Sequence, residues 1–235
     1  IAYLLNQSLF AIVPSGIGGE AISYWAIPHL LLLAFLKLLF QSSTILISFF
    51  NGMSLSTAFV SVYCIVKELA YGKNGTKNSR WLEISAILAG FFYIFSPYLI
   101  FGWDRALLTR NQIFLNPLVI YLLLRYFLTS NFVYLAGILL ITLFFSPNFT
   151  YVGAPGFFAF YPLSILFLLI YTKFVRGIGI PIKGLCYGAV AFILLHAFHL
   201  MPQLISLISP SSGISNAVFS EKAISSRGLD YFIAI

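Results

Sequence analysis

The sequence predicts an all-α, polytopic transmembrane helix bundle of about six spans plus an outer interfacial helix. Three observations predict it. Hydrophobic residues make up 60% of the chain and charged residues 8%, with a mean hydropathy of +0.98, whereas a water-soluble domain has roughly a quarter charged residues. The apolar residues form continuous runs rich in Leu, Ile, Phe and Ala, without the alternation that a membrane barrel strand requires. The Lys and Arg residues gather in short stretches between those runs, as they do in membrane proteins. A soluble globular enzyme, a disordered chain and a nucleic-acid binder are excluded, despite the net charge of +7. Cys64 and Cys186 fall inside apolar runs and form no metal motif.

Residues 1–43 are expected to form an outer loop and the interfacial helix. Pro14, Gly16, Gly18 and Gly19 break the chain, and the apolar run that follows is interrupted by Lys37. That run falls short of the ~20 residues a span needs. A helix over 21–41 therefore lies along the outer interface, with Tyr24 and Trp25 at headgroup depth. The alternative is a seventh span over 22–41 that turns at Gln41-Ser42-Ser43 and puts 14–20 in the cytoplasm.

Six runs approach spanning length: 44–66, 84–101, 112–129, 131–146, 157–172 and 184–201. With residue 67 cytoplasmic, the inner connections hold Lys67, Lys73, Lys77, Arg80, Arg125, Lys173, Arg176 and Lys183. The outer ones hold Arg105, Arg110, Lys222 and Arg227. Eight against four sets loop 67–83 inside and loops 102–111 and 147–156 outside. Ser96-Pro97, Ser146-Pro147 and Ser209-Pro210 all fall at or beyond outer helix ends, and the residue before a proline avoids helical dihedrals. Residues 202–235 read as an outer loop leading to a further span. The chain opens at Ile1 and closes on the short apolar run 231–235, so the expectation for 1–235 is one membrane domain, a piece of a longer protein. No repeat or low-complexity segment divides it.

Chemistry is sought among the polar groups of the outer face. Asp104 and Arg105 follow Trp103, and Arg110 comes five residues after Arg105. An acid beside two guanidiniums suits a phosphate or metal-bound phosphate, and equally an interfacial ion pair. Glu20 precedes the interfacial helix, where a carboxylate favours the positive helix end. His196 and His199 stand i, i+3 and read as hydrogen-bonded groups rather than metal ligands, since a site needs three or four donors. His29 is read as structural. The stretch 146–156 presents amides, hydroxyls and aromatics suited to a sugar or headgroup, and serves equally well as a plain connection.

The order of these features, with Trp25-Ala26-Ile27-Pro28, the Gly90-x-x-Tyr93-x-x-x-Pro97-Tyr98 helix end and Asn116-Pro117-Leu118, resembles the membrane module of the GT-C superfamily. Within it, arabinofuranosyltransferase-like and YfhO-like proteins are most similar, over about residues 20–200. The resemblance implies sugar transfer from a polyprenyl-phosphate donor to a cell-envelope glycan or lipid acceptor, at the outer face of a prokaryotic cytoplasmic membrane. It implies a catalytic carboxylate in the first outer loop, where Glu20 is the nearest acid and an Asp ahead of Ile1 is the alternative. Asp104 takes the place of a second acidic motif that is paired in some members, which leaves a divalent cation open. Arg105 and Arg110 would contact the donor phosphate. A non-catalytic scaffold of the same fold and a lipid-linked saccharide flippase are the rivals. The flippase would need ionisable groups within the spans, and these hold almost none.

Overall fold

The computed structural model describes residues 27–40, 42–70, 80–100, 111–145 and 155–208. The described residues are all-helical and contain no strand. Helices form over every run that the hydropathy pattern marked: α1 (Ile27–Leu39), α2 (Ser43–Ala70), α3 (Arg80–Ile94), the single turn α4 (Pro97–Ile100), α5 (Asn111–Thr129), α6 (Phe132–Phe145), α7 (Pro155–Ile170) and α8 (Ile182–Ile208). A π-turn, Tyr171–Val175, extends α7.

Local chemistry explains several of the boundaries. Ser96 separates α3 from α4, and Pro97 opens the new turn, because proline disfavours a helical residue before it and is pre-set for a first helical position. Between α5 and α6 the chain turns on Ser130, whose φ of 54° is in the left-handed region. Its N–H closes α5 on the Tyr126 carbonyl at 2.7 Å. Asn131 then caps α6, its Oδ1 accepting from the Val133 N–H at 3.0 Å.

The helices pack as an open row in the order α3, α2, α5, α6, α8, with α7 against α5 and α1 against α6 and α2. The core follows α5, where Phe114, Val119, Leu123, Leu124, Tyr126 and Phe127 are buried. Closest approach needs small residues. A Cβ on Gly90 would stand 2.7 Å from the Phe59 ring, so α3 crosses α2 at that point. Gly184 and Gly188 lay α8 against Tyr126 and Leu135.

Large apolar side chains also cover the outside. Phe92 is 83% exposed and Leu38 80%. Helix α2, over Thr44–Ala70, is long and apolar enough to cross a membrane. The apolar helices 114–129, 132–145, 161–175 and 182–198 are shorter.

Helix α1 lies against one end of the helices α6 and α2. His29 bonds the Phe144 carbonyl, Leu33 packs with Phe50, and the Phe40 ring meets Phe49. All three contacts fall on the C-terminal part of α6 and the N-terminal part of α2.

Candidate functional site

The described Lys, Arg and Glu side chains, apart from Lys37, collect at a single end of the bundle. That end joins the C-termini of α2, α5 and the π-turn to the N-termini of α3 and α8. Two ion pairs organise it. Tyr63 and Lys67, one turn apart on α2, both reach Glu83 on α3: Lys67 Nζ lies 2.6 Å from Oε1, and the Tyr63 hydroxyl donates to Oε2 at 2.5 Å. Lys67 also donates to the Tyr63 hydroxyl at 3.1 Å. These bonds stabilise both charged forms. Lys67 holds the Glu83 carboxyl below its ordinary value of 4.5, with Tyr63 adding to the effect. Glu83 in turn raises Lys67, again with help from Tyr63.

The neighbouring residue on α2, Glu68, accepts a charged hydrogen bond from Arg125 of α5. Arg125 is braced by Tyr134, whose hydroxyl lies 3.3 Å from Nη2 and whose ring the guanidinium overlies at 5.6 Å. The last carbonyls of α2 have no partner within their own helix. They are met from far along the chain, Leu69 by the Tyr171 hydroxyl at 3.0 Å and Glu68 by Arg176 Nη1 at 3.3 Å. The π-turn gives Tyr171 and Arg176 this reach, so three separate helices lock onto one helix end.

A second set of polar groups lies toward the opposite end. The Tyr161 hydroxyl of α7 donates to Asn116 Oδ1 of α5, and each of these residues precedes a proline within its helix, Pro162 and Pro117. Tyr93 of α3 packs on the cluster around Phe114, two residues before Asn116. His196 is 1% exposed and hydrogen-bonded to Thr142 at 3.1 Å. His196 is thus hydrogen-bonded, as the sequence suggested, but enclosed against the Phe192 ring rather than placed at an interface. Among the described residues, no group of three or more His, Cys, Asp and Glu could hold a metal ion.

Glu20, Asp104, Arg105 and Arg110, the candidate site residues read from the sequence, lie outside the described residues, as do Trp25, most of the stretch 146–156 and the His199 side chain. The segments that carry those four residues adjoin described helix ends: 1–26 precedes α1, and 101–110 joins α4 to α5. These ends are opposite the ion-paired one. Sequence reading singled out neither ion pair nor the Tyr161–Asn116 pair. The signal available was the presence of Glu68 and Glu83 at apolar-run ends already rich in cations. Compared with known proteins, the chain matches no family model, no curated protein and no solved structure.

Proposed function

We propose that this chain is a polytopic membrane domain of a longer protein which, at full length, transfers a sugar from a polyprenyl-phosphate donor at the outer face of a cytoplasmic membrane, the segment alone being inactive. One observation carries the reading: among the described residues every charged side chain except Lys37 lies at one end of the bundle, and the four candidate site residues belong to segments adjoining the other end. With the ion-paired end cytoplasmic by the positive-inside rule, Glu20, Asp104, Arg105 and Arg110 fall on the outer side. The large exposed apolar side chains support a lipid environment, since water would not tolerate so much contiguous apolar surface. The helices shorter than α2 cross by local thinning of the bilayer and by snorkelling of Lys and Arg from their ends. Helix α1 stays at the outer boundary.

Glycosyl transfer needs a carboxylate base for the acceptor hydroxyl and fixed positive charge for the departing phosphate. Arg105 and Arg110 take the phosphate, Asp104 orients them or helps hold a divalent cation, and Glu20 is the reserve candidate for the base, ranked below an Asp ahead of Ile1. Bidentate donation separates arginine from lysine at such a site. The double variant Arg105→Lys/Arg110→Lys, made in the full-length protein, should therefore insert and fold normally yet lose most lipid-linked sugar transfer in isolated membranes. Activity that survives the double replacement makes the arginines headgroup anchors and overturns the assignment.

A further inference from the structure

The ion-paired end holds six described cations, Lys67, Arg80, Arg125, Lys173, Arg176 and Lys183, and two described anions, Glu68 and Glu83. Both anions are consumed internally, Glu83 by Lys67 and Glu68 by Arg125. Arg176 is turned inward onto the Glu68 carbonyl. Arg80, Lys173 and Lys183 are exposed and in no ion pair with a described residue. Each stands beside a large exposed apolar side chain: Trp81 is 79% exposed, Phe174 75% and Ile182 64%. The sequence has no acid between Asp104 and Glu221 to neutralise the two lysines locally.

We infer that the cations around the π-turn, Lys173 and Lys183, with Arg80 across the bundle, form a docking rim for anionic glycerophospholipid headgroups. A soluble anion would use the charge alone. A lipid uses both halves of the motif, with the phosphate against the ammonium and the acyl chains against Phe174 and Ile182. The pairing of every cation with an outward apolar neighbour therefore favours the lipid over a free phosphate. The π-turn contributes by shape. Its wider winding lets Arg176 turn in to cap α2 while Lys173 and Phe174 stay outside. The inference rests on the membrane placement proposed above, though not on the sugar chemistry.

The test uses the purified full-length protein in nanodiscs of phosphatidylcholine with and without phosphatidylglycerol, with retained lipid read by native mass spectrometry. Wild type should retain phosphatidylglycerol preferentially, and the preference should shrink as salt is raised. In Lys173→Gln/Lys183→Gln the preference should fall by roughly fivefold per lysine removed. Lys173→Arg/Lys183→Arg should keep it, which separates lost charge from lost folding. Lys37→Gln, at the other end, should leave it unchanged. Phe174→Ser should weaken lipid retention without weakening binding of soluble glycerol phosphate. An undiminished preference in the double Gln variant overturns the proposal, and so does full competition by soluble glycerol phosphate. Carbonate extraction of the wild type distinguishes the deeper failure. A protein washed from membranes by carbonate refutes the membrane placement itself, whereas one that stays and shows no headgroup preference refutes the rim alone.

Discussion

Glu83 shows how a single carboxylate can tie a helix pair to a range of pH. Its charged form is stabilised in the folded state by Lys67 and Tyr63, so its contribution is complete above the ordinary value of 4.5. That contribution is lost as pH falls through the depressed folded value. Lys67 works in the opposite sense: its folded pKa is raised, so its contribution is present below 10.5 and disappears as pH rises through the folded value. Glu83→Gln should therefore lower the melting temperature in detergent between those limits, and the gap to wild type should close on acidification. A gap that persists once the wild-type carboxyl is protonated would show that Glu83 acts by packing instead of charge. The cations of this end were legible in the sequence as inner-loop charge. Their pairing was not, because Lys67 and Glu83 are 16 residues apart on different helices and Glu68 and Arg125 are 57 apart, distances that composition and periodicity do not encode.

At the scale of elements, hydropathy and turn residues located the helices well. Thr129-Ser130-Asn131 divides two apolar runs, and the chain turns there with Ser130 left-handed and Asn131 as cap. Ser96-Pro97 likewise separates α3 from α4. The π-turn was not legible, since Tyr171-Thr172-Lys173-Phe174-Val175 is as compatible with an ordinary helix end as with a wider one. Close helix contacts were also hidden, because a glycine in an apolar run announces no partner. The α5–α8 contact makes this testable. A Cβ on Gly184 would stand 1.9 Å from the Tyr126 hydroxyl oxygen, and Tyr126 is 1% exposed with no room to swing away. Gly184→Ala should cost roughly 1–3 kcal/mol through overpacking. In a Tyr126→Phe background most of that loss should vanish, since the nearest remaining ring atom is 3.1 Å away. Thermal unfolding of the two single variants and the double variant measures the coupling. Strictly additive losses would mean that α8 relaxes freely and that Gly184 sets no spacing.

For the whole molecule, the helical class followed from composition, since backbone polar groups in an apolar chain must be satisfied within each segment. The relative order of helix ends followed from the succession of runs, because the connections between consecutive antiparallel runs alternate from end to end and the cations gather in every second one. The open packing order and the central place of α5 did not, as every run is apolar on all sides and periodicity names no buried face. The candidate site was legible only as residue types on one side, and its geometry depends on segments with little periodic pattern. The orientation has a direct test. In a Cys64→Ser/Cys186→Ser background, Asn148→Cys should react with an impermeant thiol reagent in intact cells, while Asn74→Cys should react only after permeabilisation. The reverse pattern inverts the bundle and with it the outer-face assignment of Asp104, Arg105 and Arg110.

The completion of α2 has a further consequence, for the time order of assembly. Its final carbonyls are met by Tyr171 and Arg176, side chains separated from them by 102 and 108 residues. During synthesis the chain has passed through α3, α5, α6 and α7 before either side chain exists. Until then these last carbonyls of α2 have only water and local groups to bond. A helix that forms early is thus completed late, once the π-turn after α7 brings Tyr171 and Arg176 to its end.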